Sequence, residues 1–320
     1  MRFNPRARLD RSRTSDSGGG RGGGGGFGGS QMRLPIPGGR AGGGGFGLVI
    51  IILIIVLNQC MGGGGTGTSP GPSSGGSAFD TNRVTADDTG RYDSCATGAD
   101  ANENPDCERI AVENSLYDFW RTALPDQGGV DLRPAKLNTF SGSVGTGCGN
   151  ATSQVGPFYC PADGVIYMDT TFFDDVLERQ LGGPDGGFVQ NYVLAHEYGH
   201  HIQNLLGTMG RVKTQQGPRS DAVRLELQAD CYAGMWANAA TTTRDADGQV
   251  LISELTREDV ELAIDAAAAV GDDRIQEKTQ GQVTEEAWTH GSSESRMRWF
   301  TVGFEKGSMD ACDTWSVRNP

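Results

Sequence analysis

Half of the chain's 50 glycines fall between Gly18 and Gly76. A stretch that rich in glycine gives up too much backbone freedom on ordering, and offers too few side chains, to build a packed core. The folded part of the 320 residues is therefore expected downstream, beginning near Arg91, where apolar side chains start to recur at helical spacing. Roughly 230 residues remain there, enough to bury one large core, and the domain is set at 91–320.

Inside the glycine-rich part lies LVIIILIIVL, residues 48 to 57. Ten residues do not span a bilayer, but Ala41 to Met61 carries no charge, and that longer stretch reaches roughly 30 Å as a helix. The sequence thus predicts a disordered Arg/Gly-rich tail at 1–45, a single transmembrane helix at 46–61 and a flexible Gly/Ser/Thr/Pro linker at 62–90. A cleaved signal peptide fits less well, because the basic region is too long and no small-x-small site follows closely. Asn58 and Gln59 ahead of Cys60 are not the small residues of a lipobox. Residues 1–47 hold eight arginines against Asp10 and Asp16, a net of +6 within a chain of −13. The positive-inside rule then puts the N-terminus in the cytoplasm and the acidic domain outside. That acidity argues against nucleic acid as a partner of the outer domain.

Six cysteines lie beyond Cys60, an even number where disulfides persist. Spacing does not fix their connectivity; it suggests Cys95 with Cys107 and Cys148 with Cys160, each closing a short loop, which leaves Cys231 for Cys312. Helical periodicity marks 107–124, 188–207, 220–240 behind a Ser220 cap, a segment starting from a Thr256 cap, and 294–304. Strand signals are sparse, with Val165–Met168 the clearest. The expected fold is α+β, mostly helical with a small sheet.

The helix at 188–207 carries His196, Glu197 and His200 as H-E-x-x-H. Positions i and i+4 share a helix face, so both imidazoles can reach one metal ion, while Glu197 sits about 100° around and can act on a water beside it. In LELQAD, Glu226 and Asp230 repeat the i, i+4 spacing amid apolar neighbours, and buried acids need a partner. Glu226 is taken as the third ligand and Asp230 as the residue orienting a ligand imidazole. Cys231 is a fallback ligand that a disulfide would disqualify. His201 points elsewhere, toward packing or hydrogen bonding. His290, in the loop THGSS, can serve as a donor to a developing oxyanion or can cap the following helix. Tyr198 and Arg224 are further candidates for that donor. Residues 243–254 echo a calcium loop without its first acid, but a Gly-containing hairpin between helices explains the same residues and is the expected reading.

The stretches FYCPADGVIYMD, AHEYGHHIQNLLG, RLELQADCYAGMWA, AAAAVGDDRIQ and THGSSESRMRWFTVGF resemble the neutral zinc metallopeptidases of bacteria, single-pass membrane proteins of the zincin superfamily. The resemblance runs from about Arg91 to Phe304 and leaves residues 1 to 90 outside it. It implies a zincin-like fold, zinc (Zn2+) held by His196, His200 and Glu226, catalysis through Glu197 with His290 as helper, and a peptide or protein substrate laid as a strand against 165–169. The expected protein is a membrane-anchored extracytoplasmic zinc metallopeptidase whose zinc-activated water gives its proton to Glu197. The alternatives are a non-cleaving metal-binding envelope scaffold and a zinc hydrolase of a non-peptide amide bond.

Overall fold

The computed structural model describes residues 1–19, 89–173 and 187–320. The expected anchor at 46–61 and nearly all of the expected linker lie outside the described residues. Among the described residues no helix is long and apolar enough to cross a membrane.

In chain order the elements are β1 (Arg2–Phe3), β2 (Thr14–Gly19), α1 (Gly98–Glu103), α2 (Pro105–Ala123), β3 (Lys136–Ser141), β4 (Ser143–Thr146), β5 (Gly149–Thr152), β6 (Phe158–Cys160) and β7 (Val165–Asp169). There follow α3 (Gly187–Leu205), α4 (Asp221–Ala239), β8 (Ile252–Glu254), α5 (Arg257–Ala269), α6 (Asp272–Gln280) and α7 (Ser293–Lys306). Local chemistry sets the helix starts. Ser220 accepts the Val223 N–H at the head of α4, and Thr256 forms a reciprocal capping box with Asp259 at the head of α5.

The main sheet has the order β2-β3-β7-β6, with β2, β3 and β7 parallel and β6 antiparallel to β7. The interior strand β7 is buried along its whole length, which is why Val165–Met168 reads as an unbroken apolar run rather than an alternating one. β3 pairs with all of β7 on one side and β6 with Val165–Tyr167 on the other, so those three residues offer no free edge. The expectation of a substrate strand along 165–169 is corrected for Val165–Tyr167, which β6 already covers; among the described residues β2 and β6 are the edge strands of this sheet.

Helices α3, α4 and α7 meet at unusually short range, and glycine makes this possible. A Cβ on Gly234 of α4 would stand 2.1 Å from the Phe300 carbonyl oxygen, and one on Gly303 of α7 would stand 1.9 Å from that of Cys231. At the α3–α4 crossing a Cβ on Gly199 would meet the Ala229 oxygen at 3.0 Å. Disulfides Cys95–Cys107, Cys148–Cys160 and Cys231–Cys312 pin α2, β6 and α4 to neighbouring chain, in the pairing that spacing suggested.

The N-terminal segment departs most from expectation. Residues 1–19 are not a structureless tail: β1 pairs with β8, β2 extends the main sheet beside β3, and Phe3 and Ala7 enter the core. Arg13 holds the buried Glu113 of α2 with two hydrogen bonds, at 2.7 and 3.2 Å, and the Asn114 side chain bonds the backbone N–H and carbonyl of Asp10. Glycine content and the lack of apolar periodicity concealed this, because the segment folds as added strands on a sheet formed elsewhere. Residues 1–19 thus pack with α2, β3 and β8 as part of the domain rather than standing apart from it as a tail. Arg13→Ala leaves Glu113 buried without its cation and is expected to cost about 3 kcal/mol of stability. Denaturant unfolding of the variant checks this; an unchanged midpoint would mean that the arm is not part of the fold.

Candidate metal centre

The close α3–α4 crossing at Gly199 and Ala229 sets Glu226 opposite the first two histidines of α3. His196 Nε2 lies 3.2 Å from Glu226 Oε2, and His200 Nε2 lies 3.4 Å from Glu226 Oε1. One donor atom from each of the three residues falls within 4.8 Å of the others, and all three residues are buried. No other group of this kind occurs among the described residues.

The outer edge of each ring is occupied, which decides where its lone pair points. His196 Nδ1 sits 2.8 Å from Asp230 Oδ1, and His200 Nδ1 sits 2.8 Å from Gln203 Oε1. Both partners are oxygen acceptors, so each Nδ1 carries its proton and each Nε2 is left to ligate. Gln203 is itself fixed, donating to the Leu225 carbonyl at 2.7 Å and to Gln228 Oε1 at 3.1 Å. Asp230 is fully buried and accepts from Tyr192 Oη at 2.5 Å and from Arg296 at 2.8 and 2.9 Å.

The electrostatics suit a cation. Burial works against a charged His196, yet Asp230 and Glu226 outweigh it and push that imidazole up to about 10. His200, where burial prevails, drops to about 4. The carboxylates thus draw a proton onto the point where the three donors converge, and a divalent ion there would meet the same demand. Two imidazoles and one carboxylate fit a zinc site with an open fourth position.

Glu197 stands beside this trio and bonds none of its members. Burial pushes its carboxyl up to about 7, against His196 and a backbone N–H from Tyr159 that favour the charged form. Tyr159 ties β6 to α3 a second time, its hydroxyl taking a hydrogen bond from Asn204 and lying 3.0 Å from His201 Nδ1. His201 Nε2 donates to the Arg133 carbonyl at 2.6 Å, so this histidine serves packing and hydrogen bonding. His290 is buried near Glu226, whose charge is the main influence raising the imidazole against burial.

Other candidates are engaged elsewhere. Tyr198 is fully buried with its ring edge-on to His201. Arg224 donates to the carbonyls of Thr314 and Val317. Cys231 is in a disulfide and is no ligand. Asp245 Oδ1 accepts the Asp247 and Gln249 N–H groups and Arg244 bridges Val250, so 243–254 is a hairpin there. Sequence reasoning missed Tyr192, Gln203 and Arg296 as supports. Tyr192 and Gln203 stand four residues before His196 and three after His200, so helix spacing held the signal. Arg296 reaches Asp230 across 66 positions, which no local pattern reports.

Two helix-borne histidines, a glutamate from the next helix and an adjacent carboxyl free of the trio define a zinc-peptidase type of site on an α+β fold. The profile of the family described as "Putative neutral zinc metallopeptidase" matches residues 4–315, and the chain belongs to that family. The match begins at residue 4, so the N-terminal arm, expected outside the resemblance, is part of it. The chain is similar to an uncharacterized protein of Mycobacterium tuberculosis, 50% identical over 225 residues covering 70% of this chain and 75% of that one. It is also similar to the uncharacterized protein YpfJ of Escherichia coli K12, 41% identical over 204 residues covering 62% and 67%. No solved structure matches it.

Proposed function

We propose that this protein is a zinc-dependent metallopeptidase that cleaves peptide bonds, with His196, His200 and Glu226 holding the metal and Glu197 as general base. The carrying observation is that three buried donors converge within 4.8 Å while the neighbouring Glu197 carboxyl stays out of their contacts. When bound, zinc would polarise the scissile carbonyl and make a water acidic enough to lose a proton near neutral pH. Glu197 takes that proton and hands it to the leaving amine; a buried carboxyl pushed toward 7 is suited to both transfers. The Tyr159 N–H keeps Glu197 aimed, and β6, the edge strand that lies against α3, receives the substrate main chain by strand pairing. His290 donates a hydrogen bond to the carbonyl oxygen as charge builds there.

Chelation tests the dependence on metal. Removal of zinc is expected to abolish peptide hydrolysis and to lower the melting temperature by roughly 5–10 °C, the loss of about 2.7 kcal/mol for a site held at 100-fold over its dissociation constant. Restored zinc should return both; hydrolysis that survives chelation would end the proposal. The three disulfides support an extracytoplasmic compartment for the whole folded unit. The uncharged stretch around 46–61 supports membrane contact. Fractionation of cells tests both: the full chain is expected in an envelope membrane fraction, and recovery in the cytosol would contradict them.

A further inference from the structure

We infer that Asp272 is the positioning residue that aims His290 at the reaction centre, an inference that rests on the peptidase reading above. Asp272 opens α6, and its Oδ2 accepts three successive backbone N–H groups, from Thr289 at 2.7 Å, His290 at 2.6 Å and Gly291 at 3.0 Å. Its own N–H returns a bond to the Gly291 carbonyl at 2.9 Å. Three consecutive amides reach one oxygen only when the chain is wrapped around it, and Gly291 permits the wrap with a φ of +95°. The carboxylate is itself buried, so its desolvation is compensated by these bonds rather than by water.

The clamp also grips the ring. Asp272 Oδ1 lies 3.4 Å from His290 Nδ1 and Thr289 Oγ1 lies 2.8 Å from the same atom. With Nδ1 engaged on the clamp side, Nε2 is the nitrogen turned away from it and available to a substrate oxygen. The neighbouring residues lock the same joint. Ser293 donates to Asp273 Oδ1 through its N–H at 2.7 Å and its hydroxyl at 2.8 Å, and a Cβ on Gly271 would stand 2.4 Å from the Ser293 nitrogen. Arg296, which holds Asp230 behind His196, also donates to the Val270 carbonyl at 3.2 Å. The strut that sets His196 therefore sets the base of the His290 clamp too. A helix cap needs one such bond; the convergence of four on a single buried residue fixes the place of the histidine between them.

The experiment is a double-mutant cycle on the full chain, with Asp272→Ala, His290→Ala, both together, and Asp272→Asn. Each single alanine variant is expected to lower kcat about 100-fold with KM within about threefold and zinc content unchanged. The double variant should be no worse than His290→Ala, and Asp272→Asn, which keeps an oxygen for the amides, should lose less than Asp272→Ala. An Asp272→Ala loss that persists in full in the His290→Ala background overturns the assignment, since Asp272 would then act through the fold at large. Amide exchange in the metal-free chain reads the clamp without activity: exchange at His290 and Gly291 should accelerate in Asp272→Ala, and unchanged exchange would overturn it. A wild-type chain that binds zinc and cleaves nothing would instead remove the peptidase reading.

Discussion

Glu197→Gln is expected to cut peptide hydrolysis by about 10²–10⁴-fold while zinc content stays at the wild-type level. Glutamine has nearly the same shape as glutamate, and its carbonyl oxygen can still take the Tyr159 N–H. It cannot accept a proton from water, and it cannot return one to an amine. Glu197 bonds none of the three convergent donors, so metal retention follows from the geometry. Kinetics on a peptide substrate together with metal analysis would check both halves. A variant that loses its zinc would make Glu197 a ligand, and one that keeps its activity would remove it as the base.

Asp230→Ala carries the second large effect. It strips the buried Arg296 guanidinium of its carboxylate and His196 of its Nδ1 acceptor in one step. An uncompensated buried cation costs about 3–5 kcal/mol, and loss of the partner behind a ligand imidazole weakens metal binding about 10–100-fold. Acidification should reproduce part of this in the metal-free chain. Burial would raise the Asp230 carboxyl, but Arg296 and His196 outweigh it and hold the group at about 2, below its ordinary 3.8. A depressed carboxyl stabilises fully above the ordinary value and loses that contribution as pH falls through the folded one, so the expected loss lies between 3.8 and about 2. Thermal melts across that range, with zinc titrations of the variant at neutral pH, would test the pair; a variant as stable as wild type would show that the Asp230–Arg296 pair is dispensable.

What the sequence disclosed and what it hid follow from the range of the interactions. The face shared by His196 and His200 is a matter of i, i+4 geometry, and the Ser220 and Thr256 caps are equally local, so α3, α4 and α5 were legible to within two residues. Glu226 and Asp230 were legible through a different signal, two acids amid apolar neighbours. The structure brings Glu226 to the histidines and Asp230 behind one of them, a placement that depends on the Gly199–Ala229 crossing. The strands were read poorly. β2 and β3 have little apolar alternation of their own and owe their pairing to contacts over more than a hundred residues. The arm at 1–19 failed for the same reason, compounded by the glycines that follow it. Asp272 lies in the stretch AAAAVGDDRIQ that carries the resemblance, but nothing local showed its role, because its partners stand 17 to 19 residues away.

The most direct test of the central claim is the metal content of the purified full chain, wild type beside Glu226→Ala, measured with casein-peptide hydrolysis on the same samples. About one zinc per wild-type chain is expected, with cleavage, and loss of both in Glu226→Ala, as three convergent ligands require. A wild-type chain without zinc, or a Glu226→Ala chain that keeps zinc and activity, would contradict it.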